Sequence, residues 1–285
     1  MDARTAHGTV TSAGEPNGGS PGVYAVLDVL EALGAAGSQT LADLTRNVRI
    51  SKTTAHRVCG ALLERGWAVR DSETGAYSLG IRAIGISSAA AAENPIVVAF
   101  RPHAAELLAL HNETVHLTML DGEDSLFVAK AETTHQVRLV SPIGSRLPAF
   151  ASASGRVLLA DLPSEVIEIA YAGRPLVTPT GRDLGGVRDL VSLLARVRED
   201  GFAENIEDTA LGLHCIAVPI RDGRGHALAA MTLCVPIGRI APARRDVLLA
   251  DLRTSAARLE REVAWLPTGE AVGTSNRHSP NRERE

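Results

Sequence analysis

The chain has no long apolar run. No stretch of its 285 residues approaches the roughly 18 continuous apolar side chains that a membrane-spanning helix needs. The first 22 residues mix Gly, Ser, Thr, Pro and Asn without an apolar segment, so no secretory signal is expected there. Cysteine is scarce: Cys59, Cys215 and Cys234 stand in no paired spacing. That fits the reduced cytoplasm better than a disulfide framework. His103, His111, His116 and His135 are scattered without metal-ligand spacing, and the Gly-x4-Gly-Lys-Ser/Thr phosphate cradle is missing. Neither a metal nor another cofactor is therefore expected, and no internal repeat is evident. What remains is a chain that is 45% apolar and 22% charged, the composition of a soluble globular protein of one or two domains.

The net charge of −4 argues against wholesale coating by nucleic acid, but it hides an asymmetry. Between Leu44 and Arg70 six basic residues (Arg46, Arg49, Lys52, Arg57, Arg65 and Arg70) face one acid, Glu64, for a local net of +5. A confined basic patch in an acidic protein is what a localised phosphate footprint looks like. The patch lies in a legible unit, residues 23–80. Val26, Val29, Leu30 and Leu33 mark an amphipathic helix, expected to stop at Gly34 and Gly37. Thr40 can cap a second helix, with Asp43 as a capping-box partner and Leu41, Leu44 and Val48 facing inward.

After Arg49 to Ser51 comes "ISKTTAHRVCGALLERGW", residues 50–67. At a helical period Ala55, Val58, Cys59 and Leu62 form the apolar stripe, and Thr53, His56, Arg57, Gly60 and Glu64 fall opposite. Beyond Gly66 the period becomes alternating: Trp67 and Val69, a turn cluster at 71–75, then Tyr77 and Leu79 read as a β-hairpin. Helix, helix, tight turn, helix and hairpin make the winged helix-turn-helix plan, whose last helix enters a major groove. On that plan Thr53, Thr54, His56 and Arg57 lie in or beside the groove, with Arg57 able to bridge a guanine. Lys52, Arg49 and Arg46 suit phosphates, and Arg70 on the wing can reach a neighbouring backbone or minor groove. The plain alternative is a solvated helix face.

An Ala-rich stretch, 81–95, reads as a linker helix ended by Pro95. From Ile96 onward the pattern is α+β. Helices are expected at 96–111, 152–161, 187–200 and 242–264, and strands near 114–120, 125–131, 136–141, 213–220 and 226–235. The antiparallel strands are expected to carry helices on one side. Small residues before the helix at Ser152 leave backbone N–H groups able to face an anion. Alternation in the strand 213–220 places Cys215, Ala217 and Pro219 on one face and His214, Ile216 and Val218 on the other; Thr232 and Cys234 share a face of the next strand. Cys215 as a nucleophile would need a base, and His214 points away from it.

Three pieces in order resemble the IclR-type transcriptional regulators: "LADLTRNVRISKTTAHRVCGALLERGWAVRDSETGAYSLG", "LPAFASASGRVLLADLP" and "GFAENIEDTALGLHCIAVPIRDGRGHALAAMTLCVP". The likeness runs from about Val23 to Leu266. It implies a tail over 1–22, a winged helix-turn-helix over 23–80, a linker helix over 81–95, an α+β effector-binding and oligomerisation domain of GAF/profilin-like type over 96–266, and a second tail over 267–285, both tails disordered. It implies homodimers or homotetramers on palindromic double-stranded operator DNA, a small organic-acid effector, and a pocket lined by Ala153, Ser154, Asn205, Cys215, Thr232 and Cys234. The family commonly has His at Phe150, Lys at Arg156 and an acid at Asn205, so an altered ligand preference is expected. The resulting expectation is a cytoplasmic, sequence-specific regulator, favoured as a repressor and not an enzyme. Its rivals are a cysteine-dependent enzyme with a regulatory winged helix, and a protein-binding scaffold.

Overall fold

The computed structural model describes residues 20–136 and 141–266, which divide into two compact units between Ala90 and Ala91. Helix α1 (Pro21–Ala36) opens on proline, so the last two residues of the expected leading tail are helical. It does not stop at Gly34. One interior glycine costs about 1 kcal/mol of helix propensity, and the turn around it buries Ala32 and Leu33. The helix ends instead at Gly37, at φ 70°.

Helix α2 (Leu41–Val48) carries the expected capping box: Asp43 N–H donates to Thr40 Oγ1 and Thr40 N–H to Asp43 Oδ2, both at 3.2 Å. Arg49 turns the chain in the left-handed region at φ 57°. Helix α3 (Lys52–Glu64) then starts on Ser51, whose Oγ accepts from Thr54 N–H at 3.1 Å. The three helices share a core of Val29, Leu33, Leu44, Val58, Cys59 and Leu62, closed by Ala68 and Tyr77 of the hairpin. That hairpin is β1 (Ala68–Arg70) and β2 (Tyr77–Leu79), antiparallel, its turn tied by Asp71 Oδ1 accepting from Glu73 and Thr74 N–H. The linker α4 (Ile81–Glu93) buries none of its residues.

The second unit runs α5 (Pro95–His111), β3 (Thr114–Asp121), β4 (Asp124–Ala131), β5 (Arg146–Pro148), α6 (Ala153–Leu159), α7 (Ser164–Tyr171), α8 (Val187–Asp200), β6 (Ala203–Ile206), β7 (Leu213–Arg221), β8 (Ala227–Pro236) and α9 (Pro242–Val263). Six antiparallel strands lie in the order β5-β4-β3-β8-β7-β6. Helices cover both faces, correcting the expectation of one. Helices α5 and α9 pack on Val115, Leu117, Ile216, Val218, Met231 and Leu233, while α6 packs on the face of Cys215, Ala217, Ala230 and Cys234, with α8 against α6 and α7 against α8 in the same core. The cause lies in β7 and β8, whose central residues are apolar and buried on both faces, so neither face can be left to water. The strand expected near 136–141 lies outside the described residues apart from Gln136 and Ser141, as do residues 1–19 and 267–285 of the expected tails.

Candidate functional site

Ser51 caps α3 and its apolar stripe is committed to the core, so the outward face is left to residues of the first two turns. Lys52, Thr53, His56 and Arg57 are exposed and border one open depression. The other four expected contacts are placed differently. Thr54 is half-buried and its hydroxyl meets Ser51 Oγ at 2.9 Å, within the cap. Arg49 is exposed at the turn before α3. Arg46 stands 3.4 Å from Asp43 in a surface pair of the kind that contributes little. Arg70 donates to Gly75 O at 3.2 Å and lies over the Tyr77 ring at 5.5 Å, so it belongs to the wing but is engaged with the wing's own turn.

The second candidate site is the sheet face under α6. Register builds it row by row. Thr114, Cys234, Cys215 and Asn205 are successive cross-strand partners; so are His116, Thr232, Ala217 and Ala203 in the next row, and Thr118, Ala230 and Pro219 in the third. Rows two residues apart share a face. Helix α6, with Ala153 and Ser154 at its start, comes close to the sheet because residue 155 is glycine. A Cβ there would meet Ala149 O at 2.2 Å and Ser125 Oγ at 2.5 Å. The helix start caps itself: Ser152 Oγ takes Gly155 N–H at 3.0 Å and pairs with Ser125 Oγ at 2.7 Å. Fewer N–H groups therefore remain for an anion than the small residues alone suggest.

Among the residues expected at this site, Cys215 and Cys234 meet at 3.0 Å between sulfurs and Thr232 lies one row away. Asn205 is present but committed: it donates to Thr209 Oγ1 at 2.7 Å and accepts from Asp208 N–H at 2.8 Å, pinning the loop that follows β6. Arg156 is committed as well. Its guanidinium donates to Phe150 O, Glu204 O and the buried Asp208 carboxylate at 2.9, 2.8 and 2.7 Å, while Arg182 takes the other oxygen of Asp208. Burial lowers the Arg156 pKa from its usual value, and the hydrogen bond to Asp208 offsets part of that.

Sequence reasoning passed over two polar groups on this face, His116 and Thr118. His116 is fully buried, with Nε2 2.5 Å from Ser141 Oγ and Nδ1 3.4 Å from Cys234 Sγ; burial lowers its pKa to about 4. Thr118 Oγ1 and Thr232 Oγ1 are buried and lack hydrogen-bond partners, as do His103 Nδ1 and Ser255 Oγ on α5 and α9. A buried hydroxyl left unpaired costs about 1–3 kcal/mol and marks a place for a polar atom of a ligand or water. The signal was the alternation of His116 and Thr118 with Val115, Leu117 and Met119.

The Cys234–His116 contact is uncharged at neutral pH. Its imidazole stays neutral, and the Cys215 contact and burial push the Cys234 thiol well up. A cysteine nucleophile uses the opposite arrangement, thiolate beside imidazolium. His214 is turned to the other face, where it meets Glu204 Oε1 at 2.8 Å. Burial pushes the Glu204 carboxyl up, but hydrogen bonds from His214 and Arg245 outweigh it and hold the group at about 2.

Comparison with known proteins finds two families matching successive parts of the chain. The bacterial transcriptional regulator IclR C-terminal family matches residues 88–261, and the IclR helix-turn-helix domain family matches residues 26–72. The chain is 28% identical over 243 residues to the HTH-type transcriptional regulator KdgR of Escherichia coli (strain K12), covering 85% of this chain and 92% of KdgR. It is 31% identical over 225 residues to the HTH-type transcriptional repressor AllR of Klebsiella pneumoniae, covering 77% and 80% of the two chains. Among solved structures, an IclR homolog from Microbacterium hydrocarbonoxydans complexed with 4-hydroxybenzoate has a TM-score of 0.68 at 25% identity, over 85% of this chain and 98% of that one.

Proposed function

Since this chain belongs to the IclR family of bacterial transcriptional regulators, and is a DNA-binding regulator with a C-terminal effector domain, we propose which face of each domain does the work. Lys52, Thr53, His56 and Arg57 enter the major groove of a double-stranded operator, Arg57 bidentate to a guanine. Arg46, Arg49, Thr54 and Arg70 flank them on phosphates. The observation that carries this reading is the grouping of four exposed polar side chains on the outward face of a capped second helix, three residues after the first.

The effector is a small organic acid held between α6 and the sheet, by Ala153, Ser154, Asn205, Cys215, Thr232 and Cys234, joined by Thr118 and His116. The unpartnered hydroxyls of Thr118 and Thr232 support that placement, as does the 4-hydroxybenzoate complex of the Microbacterium homolog. Binding there acts by population shift: the acid must favour one arrangement of paired DNA-binding domains over the other, in a homodimer or homotetramer. The protein is read as a cytoplasmic repressor rather than an enzyme, in keeping with AllR. Sequencing of the genomic fragments retained by the purified full chain tests the reading. The expected result is a set of promoter fragments sharing a symmetric motif; a retained set indistinguishable from the input overturns it.

A further inference from the structure

Cys215 and Cys234 are direct register partners on β7 and β8, their sulfurs 3.0 Å apart, each residue 6% exposed and neither in a disulfide. Directly opposed residues of an antiparallel pair have Cα atoms about 4.5–5.5 Å apart, inside the span of about 4.4–6.8 Å that a disulfide bridges. Bonding asks the sulfurs to close by about 1 Å, to about 2.05 Å, without slipping the ladder. Among the described residues no three His, Cys, Asp or Glu side chains are arranged to hold a metal ion. Cys59, the third cysteine, sits in the core of the first unit.

We propose that Cys215 and Cys234 form a dithiol that a small peroxide oxidises to a cross-strand disulfide, giving the effector face a redox input. The input to regulation rests on the reading of this face as the effector site; the dithiol chemistry does not. Cys215 attacks first, with its register partner Cys234 standing 3.0 Å away to resolve it. Its sulfur attacks one peroxide oxygen, the O–O bond breaks, and the thiol proton leaves with the departing oxygen as water, giving a sulfenic acid. The Cys234 sulfur then attacks Cys215. The S–S bond forms, the S–O bond breaks, and the Cys234 proton leaves with the departing hydroxide as a second water. Two thiols lose two electrons, and the peroxide takes them. In the tautomer that donates Nε2–H to Ser141, Nδ1 of the neutral imidazole accepts from Cys234 in the reduced state. Closing the disulfide removes that donor and leaves Nδ1 turned to the ligand face, so the two redox states offer an incoming acid different partners.

The full chain is treated with hydrogen peroxide, quenched, denatured, alkylated and analysed by intact mass and peptide mapping, with and without dithiothreitol. The expected result is a loss of about 2 Da, a peptide linking Cys215 to Cys234, alkylation at Cys59 only, and reversal by the reductant. In Cys215→Ser and Cys234→Ser the link is absent. Gain of about 16 or 32 Da per sulfur without a link overturns the proposal. So does a link through Cys59, or survival of both thiols at a peroxide dose that oxidises the urea-unfolded chain. Gel shifts on a retained operator fragment read the regulatory half. A shift in apparent Kd on oxidation, reversed by dithiothreitol and absent in Cys234→Ser, is expected, and an unchanged Kd after complete disulfide formation overturns the redox input. A chain that forms the disulfide but ignores every organic acid refutes the effector reading and leaves the dithiol standing.

Discussion

Replacing Arg57 with alanine isolates the DNA-reading half of the account. The side chain is exposed on α3, beside Lys52, Thr53 and His56 and away from Ala55, Val58, Cys59 and Leu62, which fill the core. The substitution leaves the Ser51 cap untouched, and alanine favours a helix at least as well as arginine. The unfolding midpoint should therefore hold while operator affinity falls. A bidentate guanine contact is worth about 1–3 kcal/mol of discrimination, so the operator should bind about 5- to 150-fold more weakly. Fluorescence anisotropy on the operator, and on a copy with the contacted guanine replaced, separates the two roles open to Arg57. A base-reading arginine loses its preference between the two duplexes. A phosphate-neutralising one weakens both alike and flattens the plot of log K against log salt by about 0.9. Unchanged affinity in a variant with wild-type melting would refute the assignment.

Three further outcomes follow from the effector unit. Ser154→Leu places a larger side chain at the buried start of α6 and should abolish release by organic acids while leaving operator affinity intact; a joint loss of both would make Ser154 structural. Arg156→Ala leaves the buried Asp208 carboxylate with Arg182 alone and should cost about 3 kcal/mol in urea denaturation, as for a broken buried ion pair; a cost under about 1 kcal/mol would contradict the network. Burial keeps folded His116 neutral down to about pH 4, while the unfolded imidazole takes a proton below about pH 6.5, so acidification through that window favours unfolding. Between pH 7 and pH 5 the wild type should lose about 2 kcal/mol more than His116→Gln, and equal losses would show that His116 does not titrate as described.

Local chemistry was legible in the sequence wherever it is written in neighbouring residues. Thr40 and Asp43, Ser51 and Gly201 marked their helix ends, and alternation assigned Cys215 and His214 to opposite faces. What escaped was non-local. Nothing in residues 114–121 says that β3 lies beside β8, so the approach of His116 to Cys234 and the polar row through Thr114 and Asn205 were invisible. Helix α7 and strand β6 are too short to show a period, and the sheet's second helical layer follows from burial on both faces of β7 and β8. The convergence of Arg156 and Arg182 on the buried Asp208 is likewise non-local and leaves no mark in the sequence around it. On α3 the stripe separated inward from outward residues, but not that Thr54 would serve the cap or that Arg70 would fold onto its own turn.

The central claim is that the outward face of α3 reads DNA sequence under control of the face beneath α6. The most direct test is the ratio of dissociation constants of the full chain for a retained promoter fragment and for a scrambled duplex of equal length and composition, at about physiological salt. The account predicts a preference on the order of a thousandfold or more, reduced when an effective organic acid is added. Equal affinity for the two duplexes, with or without such acids, would contradict it.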